Sequence, residues 1–96
     1  MPTASPAPPT VTVVLPSALR ALFPEAPAET TVSAATVGDL LDALDARWPG
    51  MRDRVRDSTP AIRRHMKVFV DGERASLDTR LSPGAEVFIL TAISGG

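Results

Sequence analysis

Cysteine is absent from the 96 residues, which excludes disulfides, thiolate metal sites and a cysteine nucleophile, and leaves the redox compartment open. Histidine occurs once. His65, between Arg64 and Met66, has no second histidine or cysteine with which to build a metal site. It also lacks an identifiable nucleophile and orienting acid for catalysis, so it reads as an ordinary loop or strand-edge residue. A charge excess is missing as well: 10 basic against 11 acidic residues argue against a protein built to coat nucleic acid. No apolar run approaches the ~20 residues that span a membrane. The N-terminus has neither the basic start nor the hydrophobic stretch of a secretory signal, so a cytoplasmic protein is expected. No phosphate-cradling glycine loop is present, so the chain is not expected to bind ATP by itself.

What the sequence does have is one domain's worth of ordered pattern, enough to bury a core without metal or disulfide. Residues 1–9 are rich in proline and read as a disordered leader. Thr10 to Leu15 is short and valine-rich, the pattern of a buried strand. Pro16 ends it, and Ser17 to Phe23 forms a helical turn before Pro24 and Pro27 open a loop. Glu29 to Ala34, with its β-branched residues, returns as a second strand. Thr36 then caps a helix, with Asp39 completing a variant of the capping box. Val37, Leu40, Leu41, Leu44 and Trp48 recur at helical spacing and define its apolar face. Asp39 early and Arg47 late both suit the helix dipole, and Pro49-Gly50 stops the helix. Met51 to Asp57 predicts a second short helix with Met51 and Val55 inward, interrupted by Ser58-Thr59-Pro60. Met66 to Val70 is a strand, Asp71-Gly72 a two-residue hairpin turn, and Glu73 to Leu77 the returning strand. Leu81 to Glu86 turns the chain into a last strand, Val87 to Thr91.

A first hairpin, a helix crossing the sheet and a final central strand are what an α+β fold of the β-grasp type requires. The expected division is a leader over 1–9, a β-grasp domain over 10–92 and a tail over 93–96. Alternation in the last strand puts Val87 and Ile89 on one face and Phe88 and Leu90 on the other. If the first pair meets the helix, the second forms an exposed apolar patch of the kind that marks a protein interface.

Two charged groupings have plainer readings. Arg47, Arg52, Arg54, Arg56, Arg63, Arg64 and Lys67 are opposed only by Asp53 and Asp57 within one segment. They read as a solvated surface with local ion pairs, the sharper alternative being a docking patch for an acidic partner. Asp39, Asp42 and Asp45 lie on the polar side of the main helix and read as solubility.

The sequence ends Ile93-Ser94-Gly95-Gly96. Two glycines in a row arise at a given place about once in 200 chains. Without a Cβ, such a tail can lie close to another protein's surface and thread a terminal carboxylate into a narrow active site.

The segments Leu15-Pro-Ser-Ala-Leu19, Thr36-Val-Gly-Asp-Leu-Leu-Asp-Ala-Leu44 with Trp48-Pro-Gly50, Val68-Phe-Val-Asp-Gly-Glu73, Leu81-x-x-Gly84-x-Glu86-Val87 and Gly95-Gly96 together resemble the MoaD/ThiS sulfur-carrier family. The resemblance spans roughly Val11 to Gly96. Ala85 stands where an Asp is common, and Leu90 to Gly96 departs from the more usual Pro-Ala-Val-Ala-Gly-Gly ending. The resemblance implies a ubiquitin-like β-grasp: a mixed sheet of four to five strands on one main helix, with a flexible diglycine tail. It implies a carrier, not an enzyme, with no cofactor or metal of its own. An ATP-using adenylyltransferase related to ubiquitin-activating enzymes would adenylate Gly96. A sulfur donor protein would then displace AMP to leave a thiocarboxylate, and a sulfur-accepting biosynthetic enzyme would consume it. Ile93, Ser94, Gly95 and Gly96 would enter the partners' active sites, with Phe88 and Leu90 as the docking face. The pathway could be of cysteine, molybdopterin, thiamin or specialised-metabolite type, and the longer segment before Met66 favours the cysteine type. The alternatives are a ubiquitin-like modifier conjugated through Gly96 and a non-catalytic β-grasp binding subunit.

Overall fold

Alternating burial shapes the first strand of the computed structural model, which describes residues 8–59 and 61–91. In β1 (Thr10–Val14), Val11 and Val13 are buried while Thr10, Thr12 and Val14 face outward. After α1 (Ser17–Leu22), β2 (Glu29–Ser33) returns antiparallel to β1, pairing Val11 with Val32. Pro9, counted above with the leader, already belongs to this ladder, since its carbonyl accepts from Ala34 N–H at 3.0 Å.

The main helix, α2 (Val37–Arg47), buries Val37, Leu40, Leu41 and Leu44, the predicted face, and Trp48 packs half-buried at its end. α3 (Met51–Val55) follows with Met51 and Val55 fully buried, as the sequence implies. It is capped from outside its own sequence. Gly50, at φ 99°, makes the left-handed turn between the helices and has no side chain to offer. The Asp45 carboxylate instead accepts from Gly50 N–H at 2.9 Å and Arg52 N–H at 3.1 Å. Asp45 is therefore a structural acceptor rather than only a solubilising charge.

β3 (Met66–Val70) and β4 (Glu73–Arg74) form the predicted hairpin. Asp71 and Gly72 take φ values of 50° and 87°, the paired positive angles of a type I′ turn. β5 (Glu86–Thr91) runs up the middle of the sheet, whose order is β2-β1-β5-β3-β4, parallel to β1 and antiparallel to β3. Its central place and the helix cover on one face complete the β-grasp. Inward residues of the strands and helices join in one core cluster.

Two expectations need correction. The strand predicted over Glu73 to Leu77 ends at Arg74, with one further ladder bond from Ala75 N–H to the Val68 carbonyl. The chain then leaves the edge to serve α2. The Thr79 and Leu77 carbonyls accept from Val37 and Gly38 N–H at 3.0 and 2.9 Å, satisfying donors that a helix start leaves without intrahelical partners. The capping box is also only half formed. Thr36 Oγ1 accepts from Asp39 N–H at 3.1 Å, but among the described residues the Asp39 carboxylate makes no return bond. The Arg80 segment lies there instead, bridged to Thr36.

Candidate functional site

The sheet face away from the helices is assembled by register. Directly opposed residues of an antiparallel pair share a face. Phe88 faces Phe69 and Leu90 faces Lys67 across β5 and β3, and Phe69 in turn faces Arg74 on β4. On the other side Phe88 aligns with Val14 of β1. The result is an apolar row, Val14–Phe88–Phe69, with Leu90 beside it. Phe88 is 36% and Leu90 41% exposed, whereas Val87 and Ile89, their immediate neighbours in sequence, are fully buried. The predicted division of β5 into a core face and an exposed face is what the geometry gives.

Phe69 and Val14 were not singled out from the sequence. Alternation around the buried Met66 and Val68 would have pointed Phe69 outward. Its contact with Phe88 depends on the β3–β5 register, which no local pattern encodes. The last described residue, Thr91, pairs with Met66, so the C-terminal segment is rooted at the end of this face. Ile93, Ser94, Gly95 and Gly96 lie outside the described residues.

The polar groupings separate into spent and available charges. Arg52 is spent: its guanidinium lies 2.9 Å from Asp42 and 3.9 Å from both Asp45 and Asp53. The hydrogen bond to Asp42, then the charge of Asp45, raise its already high pKa further. Arg63 donates from Nε to the Asp53 carbonyl at 2.7 Å, and Arg47 reaches Thr30 Oγ1 at 3.0 Å. Asp57 accepts from the Thr59 hydroxyl at 2.6 Å and from the Thr59 and Ala61 N–H groups. The Thr59 hydroxyl is the main reason its carboxyl is held below the usual aspartate range. Arg54, Arg56, Arg64, Lys67 and Arg74 make no ion pair among the described residues. His65 is exposed in a turn. No group of metal-ligating side chains and no buried polar or charged residue occurs among the described residues. Among the described residues the site is an apolar strip of sheet bordered by Lys67 and Arg74.

Comparison with known proteins agrees with the geometry. The ThiS family pattern matches residues 13–96. The chain belongs to the ThiS family. Among its relatives, the sulfur carrier protein CysO of Mycobacterium tuberculosis is 33% identical over 94 residues, covering 90% of this chain and 98% of the relative. Small archaeal modifier protein 1 of Haloferax volcanii is 37% identical over 62 residues, 65% of this chain and 71% of the relative. A chain in the crystal structure of the Amycolatopsis orientalis BexX/CysO complex superposes with a TM-score of 0.80 at 27% identity, covering 90% of this chain and 99% of that one. These ThiS-family relatives are small carriers and modifiers with the same β-grasp fold, and one has been captured bound to another protein. No helix among the described residues is long and apolar enough to cross a membrane.

Proposed function

We propose that this ThiS-family chain carries sulfur as a thiocarboxylate on Gly96. A carboxylate is a poor electrophile, because its charge repels nucleophiles and oxide leaves poorly. A partner adenylyltransferase uses ATP to join the Gly96 carboxylate to AMP, releasing pyrophosphate. Sulfide-level sulfur from a donor protein then attacks the acyl carbon and displaces AMP, leaving the thiocarboxylate. Its sulfur passes to an acceptor within a biosynthetic enzyme, and water cleaves the acyl carbon–sulfur bond to restore the Gly96 carboxylate. Nothing in this scheme asks the chain to bind ATP or to catalyse. Its part is to dock and to present the tail. Ile93, Ser94 and Gly95 form the thread, and a side chain at position 95 or 96 would obstruct it.

The observation that carries this reading is the placement of the exposed Phe88/Leu90 pair on the strand that leads into the diglycine segment. Docking there sets the tail at the partner's active-site mouth. Intact-protein mass spectrometry after incubation with the cognate activating enzyme, ATP and a sulfur donor tests it. The mass is expected to rise by about 16 Da as one oxygen is replaced by sulfur through the activated acyl species. No gain with the authentic activator would refute the proposal. The similarity to an archaeal modifier favours a second reading, conjugation through Gly96 to substrate lysines. Lysine-linked conjugates in cell lysate, in place of a thiocarboxylate, would select it.

A further inference from the structure

The apolar face is bordered asymmetrically. On the β1–β2 side its outward neighbours are Thr12, Thr31 and Glu29, neutral or acidic. On the β3–β4 side they are Lys67, opposite Leu90, and Arg74, opposite Phe69. Beyond Lys67 the surface passes into a cleft of about 360 Å³ between the loop before β3 and the segment after β4. Arg63, Arg64, Lys67 and Arg74 line this cleft together with the apolar Ile62 and Leu77, and Asp78 is the one carboxylate among its described lining residues. Of the four cations, only Arg63 has a described hydrogen bond that ties it down. The cleft adjoins the root of the tail, because Met66, which also lines it, pairs with Thr91.

We propose that this cleft receives an acidic peptide segment, rich in carboxylates with interspersed apolar side chains, on the rim of the protein that accepts the tail. Identifying the partner in this way rests on the carrier reading; the chemistry of the cleft does not. Unpaired guanidinium and ammonium groups at the edge of an apolar contact lose little water when carboxylates meet them, and they steer encounter. The apolar lining favours a peptide over a phosphodiester strand, and the balanced charge of the whole chain points the same way. The asymmetry also sets orientation. A partner rotated half a turn on the Phe88/Leu90 face would set its acidic rim against Glu29.

The test is an NMR titration of the full chain with the peptide acetyl-Glu-Leu-Asp-Glu-Leu-Glu-amide, its Gln/Asn counterpart, inorganic phosphate and a thymidine oligonucleotide. The acidic peptide is expected to shift the amides of Arg64, Lys67 and Arg74. Binding should weaken about tenfold in the Arg64→Glu, Lys67→Glu, Arg74→Glu triple variant, as for the loss of several exposed ion pairs. It should weaken similarly in about 0.5 M sodium chloride, where the Debye length is short. The milder Arg64→Gln, Lys67→Gln, Arg74→Gln variant reads the same effect if the charge reversal perturbs folding. Equal binding of the Gln/Asn peptide, stronger binding of phosphate or the oligonucleotide, or no shift at these residues overturns the proposal. No activating enzyme or ATP is involved, so this result and the formation of a thiocarboxylate can fail independently.

Discussion

The two faces of β5 are one residue out of phase, and they differ in burial rather than in apolar character. Val87 and Ile89 are completely buried under the helices, whereas Phe88 and Leu90, equally apolar, are partly exposed. Hydrophobicity therefore does not separate core from surface in this strand. Position in the pleat does: the side turned toward the helices is buried, and the side turned away keeps its apolar residues partly exposed. The buried packing of the domain and its exposed apolar pair thus come from alternate residues of a single segment.

Breaking the core side gives the largest effect. Ile89→Ala should cost about 2–5 kcal/mol, as for other fully buried aliphatic truncations, a large share of a small domain's stability. Chemical denaturation reads it directly. Phe88→Ala should behave oppositely. Its loss to folding is about 1 kcal/mol, the scale of its cross-strand contacts with Phe69 and Val14. Its loss to partner binding is about 2 kcal/mol, roughly thirtyfold in Kd by calorimetry, if the ring is an interface anchor. A Phe88→Ala protein that unfolds as readily as Ile89→Ala would erase the distinction between the faces. Thr36→Ala sharpens it from outside the strand. Removing the cap on Asp39 N–H should cost about 1 kcal/mol of stability with no effect on binding, since α2 lies on the core side.

The same contrast explains what could be read in the sequence. The face of α2 was legible because its apolar spacing, its threonine cap and its terminating Pro49-Gly50 are all local. The Asp71-Gly72 turn was legible because few residue pairs accept two positive φ angles. The length of β4 was not. Ala75 onward has strand-compatible residues, but Leu77 and Thr79 are drawn off to satisfy the helix start, a demand made by a segment some forty residues earlier. The role of Asp45 was hidden similarly, because an acid on a polar helix face looks solvated until the following turn brings two N–H groups to it. Of the candidate site, the exposed pair on β5 followed from alternation alone. Phe69 and Val14 joined it only through cross-strand register.

If folding belongs to the inner face and chemistry to the tail, removing Gly96 should separate the two completely. The decisive measurement pairs the thermal unfolding midpoint with the mass gain on incubation with activating enzyme, ATP and sulfur donor, for the full chain and for the chain ending at Gly95. The truncated chain should keep its midpoint and lose the gain of about 16 Da that marks sulfur in place of oxygen. A large fall in the midpoint would show that the tail is packed structure, and a mass gain that survives the deletion would show that Gly96 is not where sulfur is carried.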